Sequence, residues 1–476
     1  MHTPGVFLKL PRQKTAYRPI AERVRDFQDV ARPRSDADTQ AQSSRCVECG
    51  TPFCHWRCPL GNQIPDWNDA LANGQWASAY EWLRRTNNFP EITGRLCPAP
   101  CEASCILALG HEAVTIRENE LAIIEHAFQH GLVQPQPPAA RTGRAVAVIG
   151  SGPAGLACAD QLNQAGHRVV VFERDARAGG LLRYGIPDFK LDKGLLDRRL
   201  ALWRAEGIEF STGTAVGTTL AAATVLRDFD AVCLAVGARV PRDLPIEGRG
   251  LTGIHFAMDY LAQSNRLASG ETIPPAERID ARGQQVVVIG GGDTGADCVG
   301  TAVRQGARRV TQLELLARPP DTRSPADRWP RPPTVLKTST SHEEGCAREW
   351  AVLTKRFLGR RGAVEQLACV RIAPILPGAR GPLTITERPG TGFELAADLV
   401  FLALGFVAVE PAGLLQALGV PRTPQGTIAT DAECRTPVPK LFAAGDACRG
   451  QSLVVHAMCD GRRAAHFMDR FLTGRS

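Results

Sequence analysis

A run of closely spaced cysteines constrains this chain more than any other stretch. It reads Cys46-x2-Cys49-x4-Cys54-x3-Cys58-Pro59 and then, after a spacer, Cys97-x3-Cys101-x3-Cys105. Seven of the 15 cysteines fall in these two groups. A close run whose last cysteine precedes proline is the ferredoxin-type way of holding 4Fe–4S cubanes, and there the fourth cysteine often serves the other cluster of a pair. Seven thiolates are one short of two four-ligand cubanes, and the next cysteine, Cys158, belongs to a different motif. The expectation is two 4Fe–4S clusters in an N-terminal domain, with one ligand that is not cysteine. Two other readings compete. A disulfide framework needs an oxidising compartment and usually an even count, and the opening MHTPGVFLKLPRQK lacks the long apolar core of an export signal. Structural zinc suits Cys46-x2-Cys49 alone, but seven clustered cysteines do not divide into zinc's quartets.

The length of 476 residues predicts two or three domains. A hydrophobic share of 44% is ample for buried cores, and 46 glycines suit an α/β protein rich in tight turns. No apolar run approaches the eighteen or so residues of a membrane span. The net charge of +7 is modest, with no basic block of the kind that grips nucleic acid. Neither a membrane nor a nucleic acid is therefore expected as a partner, and many free cysteines point to the reducing cytoplasm. Basic residues do crowd Arg304–Arg331, which suits nucleotide phosphates, an acidic partner surface or a plain solvated face.

Taken in order, residues 1–40 are polar and irregular and read as an arm. Between the two cysteine groups, Asn62–Arg85 has helical spacing of Trp67, Leu71, Trp76, Tyr80 and Leu83, read as core packing of a small helical domain. Glu112–His130 is a further helix, and Gln134–Ala140, with three prolines, is a linker. From Arg144 the pattern changes. Ala145–Ile149 reads as a buried strand, Gly150-Ser-Gly152-Pro153-Ala154-Gly155 opens a helix running through Ala165, and His167–Phe172 is a second strand ending at Glu173. This is a whole dinucleotide fingerprint. Gly150 makes the tight turn, Gly152 lets backbone approach a pyrophosphate, Gly155 lets helix pack on strand, and Glu173 suits ribose hydroxyls. The helix start offers unpaired N–H groups to the phosphates.

The unit recurs. Gln285–Ile289 leads into Gly290-Gly-Gly292-Asp293-Thr294-Gly295, a helix to Gln305, and the strand Val310–Glu314. Two fingerprints imply two dinucleotides, the arrangement of flavoproteins that take hydride from a nicotinamide. Asp230–Gly237 and Asp398–Gly405 are matching acidic–apolar–glycine strands, read as the crossings between the two nucleotide domains. Near the end, Lys440-Leu-Phe-Ala-Ala-Gly445-Asp446 resembles the flavoprotein strand whose aspartate holds the ribityl chain, though Asp446 would also serve as a helix cap. Ser452 and Leu453 then begin a helix under the flavin ring.

With these blocks together, the chain resembles the small (β) subunit of glutamate synthase over nearly its full length. The most specific pieces are Cys54-His-x2-Cys58-Pro-x-Gly-Asn-x-Ile-Pro65, Thr86-Asn-Asn-Phe-Pro90, Gly94-Arg-Leu-Cys-Pro-Ala-Pro-Cys-Glu-Ala-Ser-Cys105 and Gly180-Leu181-Leu-x-Tyr-Gly-Ile-Pro187. Gly290–Asp297 and Ala444-Gly-Asp446 add to them, and the same module occurs in dihydropyrimidine dehydrogenase. The resemblance implies an α/β fold of two Rossmann-like domains preceded by a mainly α-helical iron–sulfur domain. Its division would be 1–140 for the clusters, 141–280 and 396–476 for a discontinuous FAD domain, and 281–395 for an inserted NAD(P)H domain. It also implies a ligand grouping. Cys46, Cys49, Cys54 and Cys105 would hold one cluster; Cys58, Cys97, Cys101 and Glu120 would hold the other. His55 and His111 are alternatives to Glu120, which would otherwise be an ordinary solvated glutamate. Electrons would pass from NADPH or NADH to FAD, through the clusters, and on to the large (α) subunit in a hetero-oligomer that makes glutamate from glutamine and 2-oxoglutarate. A related flavoprotein feeding a ferredoxin or another reductase is the alternative. Hydride transfer to flavin needs no protein acid or base, and none is named. For the nicotinamide, Glu314 favours the free 2′-hydroxyl of NADH, whereas Arg318 and Arg323 would accept the 2′-phosphate of NADPH, the commoner bacterial choice.

Overall fold

The computed structural model describes residues 5–325, 327–375 and 384–474; the first four residues of the expected arm lie outside them. The cysteine region is a small helical domain. The apolar stripe between its cysteine groups forms two helices, Ile64–Ala72 and Trp76–Arg84, rather than one continuous pattern. The break falls at Asn73–Gln75, where Gly74 takes a φ of 72°, a left-handed turn that glycine enters without steric cost. Trp67, Leu71 and Leu83 are fully buried, as a core reading requires. Helix Ile116–Gln129 closes the domain.

Two five-stranded parallel sheets follow. The first has the order 441–443, 231–234, 145–149, 168–172, 209–211. The second has the order 347–350, 309–314, 285–289, 399–402, 254–256. Their central strands are apolar runs, Gln285 at one strand start excepted, and are buried on both faces, which is how strands covered by helices on each side read. The sheets are built alike down to single bonds. Asp230 accepts from the Ala145 N–H at 2.8 Å and Asp398 from the Gln285 N–H at 2.7 Å, so each acidic residue that opens a crossing strand pins the neighbouring strand. Beyond the two strands the chain crosses between sheets as an antiparallel ribbon, Val240–Pro241 against Phe406–Ala408. A three-stranded antiparallel sheet, Val352–Arg360, Ala363–Ile372 and Glu387–Ala396, packs on the second parallel sheet.

Sheet membership differs from the expected division in two places. Ile254–Phe256 and the helix Ala257–Ala268 belong to the second sheet's layer although they precede residue 281, and Leu399–Leu402 belongs to it although it follows residue 395. The crossing therefore falls at 235–253 on the way out and at 403–408 on the way back. A three-residue edge strand carries too little pattern to be found by alternation, and the linear sequence does not say which sheet an apolar strand joins.

The N-terminal arm is tied down. Ala16–Tyr17 pairs with Ala31–Arg32, and Val30 donates to the Phe189 carbonyl at 3.2 Å. Arg23 donates to Glu344 at 2.7 Å and to Glu343 at 3.0 Å. Arg304 pairs with the same Glu344 carboxylate and lies 3.7 Å over the Phe189 ring. One carboxylate thus holds two guanidiniums, and all three side chains are buried.

Candidate functional site

The first fingerprint folds as a strand, a turn and a helix. Pro153 begins the helix Pro153–Gln164 at a position where its missing N–H costs nothing. Gly150 has φ 105°, and a Cβ there would stand 2.4 Å from the Ala235 carbonyl oxygen. A Cβ on Gly155 would stand 1.9 Å from the Gly150 oxygen. Gly152 is different: nothing lies within 4 Å of where its Cβ would be. That open cradle, at a helix start, is what a pyrophosphate needs. The second fingerprint repeats the contacts, with Gly290 against Ala403 O at 2.3 Å, Gly295 against Gly290 O at 2.3 Å, and Gly292 open.

The two strand-end carboxylates are also a matched pair. Glu173 accepts from the N–H groups of Ser151, at 3.1 Å, and Asp175, at 2.9 Å. Glu314 accepts from those of Gly291, at 2.8 Å, and Leu316, at 3.0 Å. Each carboxylate therefore fastens its own glycine turn. Arg318 stands further out, paired with Asp321 at 2.7 Å.

A cavity of about 1300 Å³ runs along the first sheet's carboxyl edge to the second domain, larger than the roughly 300–1,000 Å³ of a single small-molecule pocket. Of the residues singled out in the sequence, Gly150, Gly152, Pro153, Ala154, Glu173, Gly180, Leu181, Gly237, Asp293, Thr294, Asp446, Ser452 and Leu453 line it. Asp446 accepts from the Ser452 hydroxyl at 2.6 Å. Gly155, Gly290, Gly292, Gly295, Gly405, Gly445, Glu314 and Arg318 do not reach the lining. Gly155 and Gly445 instead let helices close, a Cβ on Gly445 meeting Ala154 at 2.6 Å.

The cysteines gather as two sets. Cys46, Cys49, Cys54 and Cys105 line one apolar pocket with Ile64 and Val114. Cys58, Cys97 and Cys101 lie close enough to Glu120 for its charge to raise all three thiols, after burial itself. Burial pushes Cys46, Cys54 and Cys97 up to about 12 and Cys58 up to about 11. Crowded, buried soft thiols of this kind ionise only against a strongly positive centre, so the donor set fits iron–sulfur clusters. Cys54 and Cys58 sit one helical turn apart, joining the two sets. Cys97 also lines the large cavity.

A family model described as dihydropyrimidine dehydrogenase domain II, 4Fe–4S cluster, matches residues 23–132, and one described as pyridine nucleotide-disulphide oxidoreductase matches 144–328 and 382–461. The glutamate synthase (NADPH) small chain of Mycobacterium tuberculosis H37Rv is 50% identical over 100% of this chain and 97% of its own length. That of Bacillus subtilis is 44% identical over 100% and 99%. This chain belongs to the glutamate synthase small-chain family. Among solved structures, Mycobacterium tuberculosis FprA in complex with NADPH superposes with a TM-score of 0.55 at 20% identity, over 71% of this chain and 85% of FprA. That likeness is one of fold. As a member of the glutamate synthase small-chain family, the chain is an NAD(P)H-dependent oxidoreductase with FAD and 4Fe–4S cofactors.

For this family member, Glu120 is not a solvated helix glutamate. It is 6% exposed and accepts from Asn87 at 3.1 Å and from the Thr93 hydroxyl. Burial pushes its carboxyl up to about 7, against those hydrogen bonds and the Arg117 guanidinium. Of its rivals, His55 is engaged with the Asn62 carbonyl at 3.0 Å and His111 packs on Phe7. Sequence reading left out several residues that line the cavity. Lys190 ion-pairs with the buried Asp297 at 2.5 Å where the two nucleotide domains meet; both stand in motifs quoted above or adjacent to them, Gly180–Pro187 and Gly290–Asp297, a signal available from their spacing to the fingerprints. Tyr17, Asp29 and Val30 of the arm line the cavity too, and no periodicity marks them.

Proposed function

We propose that this chain is the electron-input subunit of a glutamate synthase, working with a large chain in a cytoplasmic hetero-oligomer. Cys97 carries the reading, because it belongs to one cysteine set and also borders the cavity lined by Gly150–Ala154, Asp446 and Leu453. When bound, FAD supplies acceptance of a hydride and release of single electrons, and the clusters supply one-electron conduction. The residues do the placing. The Gly152 cradle and the helix start behind it receive the FAD pyrophosphate, while Glu173 keeps the turn in shape and Asp446, oriented by Ser452, faces the ribityl chain. Asp293 and Thr294 bring the nicotinamide nucleotide to the same cavity. Leu96, Cys97 and Pro98 close it on the cluster side and bring the second cysteine set to its wall. Cys58, Cys97, Cys101 and Glu120 hold the cluster nearer the cavity; Cys46, Cys49, Cys54 and Cys105 hold the outer one. On this reading 141–253 and 403–476 form the FAD domain.

Anaerobic iron, sulfide and flavin quantitation tests the assignment. About eight irons and one flavin per chain are expected, with dye reduction driven by pyridine nucleotide; one or two zinc ions and no colour would sink it. Replacement of the eighth ligand gives a sharper result. Glu120→Ala is expected to lose roughly half the iron and the spectral signature of one cluster, while Glu120→Gln keeps a coordinating oxygen and its iron. Equal iron in both variants would remove Glu120 from the ligand set.

The nicotinamide is proposed to be NADPH. The Glu314 carboxylate, which favoured NADH in sequence, is occupied by the Gly291 and Leu316 N–H groups. Arg318 and Arg348 both lie beside the Trp350 ring, 5.8 and 4.9 Å from its centre, and a 2′-phosphate would take Arg318 in exchange for its exposed partner Asp321. Arg318→Ala should raise KM for NADPH roughly ten-fold and leave NADH unchanged. An equal rise for both nucleotides would show that Arg318 does not read the phosphate.

A further inference from the structure

Outside the cavity, one face of the cluster domain gathers exposed apolar side chains. Trp56 is 67% exposed and Leu109 is 61% exposed, with Val47 and Ile106 exposed beside them. Indole rings seldom stay this open on a finished surface. The group is contiguous: Val47, Phe53 and Ile106 share the pocket of Cys46 and Cys49; Phe53 packs on Trp56 at 5.5 Å; and Leu109 follows Ile106 by three residues in a 3₁₀ turn, which places both on one side.

The rim of this face is basic, and part of it comes from the second nucleotide domain. The segment after Arg318 reaches across to the cluster domain. Trp329 packs on Phe53 at 4.5 Å, the Ser104 hydroxyl donates to the Pro330 carbonyl at 2.6 Å, and Arg323 donates to the carbonyls of Asp327, Arg331 and Ala103. This pins Arg328 and Arg331 beside the apolar group, with Arg57 next to Trp56. All three are exposed, and none makes an ion pair among the described residues. An acidic neighbour, Glu48, lies beside Cys46.

We infer that the face formed by Val47, Trp56, Ile106 and Leu109, rimmed by Arg57, Arg328 and Arg331, is the docking surface for the electron-accepting partner, a protein that presents an acidic patch around its own redox centre. The inference rests on the proposed function and adds the place and the chemistry of the contact. An exposed tryptophan ringed by arginines is the composition from which interface hot spots are made, and a cationic rim speeds and orients encounter with an anionic partner. The face also lies over Cys46 and Cys49, the set farther from the cavity, so docking here shortens the last step of electron exit.

The test uses the holo chain and a purified glutamate synthase large chain, comparing Arg328→Glu/Arg331→Glu and, separately, Trp56→Ala with the parent. Binding is read at low and high salt, together with iron content and ferricyanide reduction by NADPH. The double reversal is expected to weaken binding roughly ten-fold or more at low salt and to flatten its salt dependence. Trp56→Ala is expected to weaken it comparably at both salts. Ferricyanide reduction and iron should be unchanged in the arginine variant, which separates docking from folding. Parent-like binding by that variant at every salt would overturn the proposal. Loss of self-association with unchanged large-chain binding would also overturn it, assigning the face to a second copy. The underlying reading fails differently, by a parent chain that holds no iron or flavin and reduces no ferricyanide.

Discussion

Gly152→Val is expected to yield a folded, iron-containing chain that carries no flavin. The position has φ −70° and ψ −179°, which any L-residue adopts, and nothing lies within 4 Å of the new Cβ. The substitution therefore stores no strain in the free chain. Its branched side chain instead fills the space above the helix start, where the pyrophosphate must come within hydrogen-bond reach of backbone N–H groups. Nicotinamide-driven dye reduction should fall roughly a hundred-fold or more, while iron and the cold circular-dichroism spectrum stay as in the parent. Gly155→Ala gives the contrast. Its single methyl group would meet the Gly150 oxygen at 1.9 Å, so helix and strand must part, and both flavin and thermal stability should drop. If Gly152→Val kept its flavin, the first fingerprint would not be the FAD cradle.

The second large effect concerns stability. Glu344→Ala removes the one carboxylate shared by Arg23 and Arg304 and leaves two guanidiniums in a site where all three side chains are buried. Breaking a buried pair by deleting one partner typically costs about 3–5 kcal/mol, because the remaining charge is neither solvated nor compensated. Here two charges are stranded, though Arg23 keeps Glu343 at 3.0 Å. Since Arg23 lies in the arm and Arg304 on the helix of the second fingerprint, the loss should loosen the arm as well as lower the melting temperature. Calorimetry should show the transition moving down, and limited proteolysis should cut near residues 18–32. A melting temperature within a degree of the parent's would mean that water reaches this site.

Much of the fold was legible along the chain because it is written in local terms. The strands 145–149 and 285–289 are short, valine-rich, mostly apolar runs, and each is followed by glycines at fixed offsets, the pattern of a buried parallel strand turning closely into a helix. The two close cysteine groups mark the iron–sulfur domain in the same local way, by residue type at short spacing. The split of the Asn62–Arg85 stripe into two helices was not legible, because apolar spacing survives a turn that happens to preserve the face; only Gly74 hints at it. The same limit applies to the carboxylates. Glu173 and Glu314 were found at their strand ends, but sequence could not say that each is already bonded to its own turn.

By itself the sequence determined the two nucleotide-binding turns, the thiol inventory and the family, since each is a matter of residue type at short, fixed spacing. Only the tertiary structure decided which sheet the strands 254–256 and 399–402 join, that Glu120 is buried, that Lys190 meets Asp297, and that Arg323, Trp329 and Pro330 lie against the cluster domain. Those are contacts between groups tens to hundreds of residues apart. They are set by how whole layers pack, and the bonds that carry them leave no local pattern in the chain.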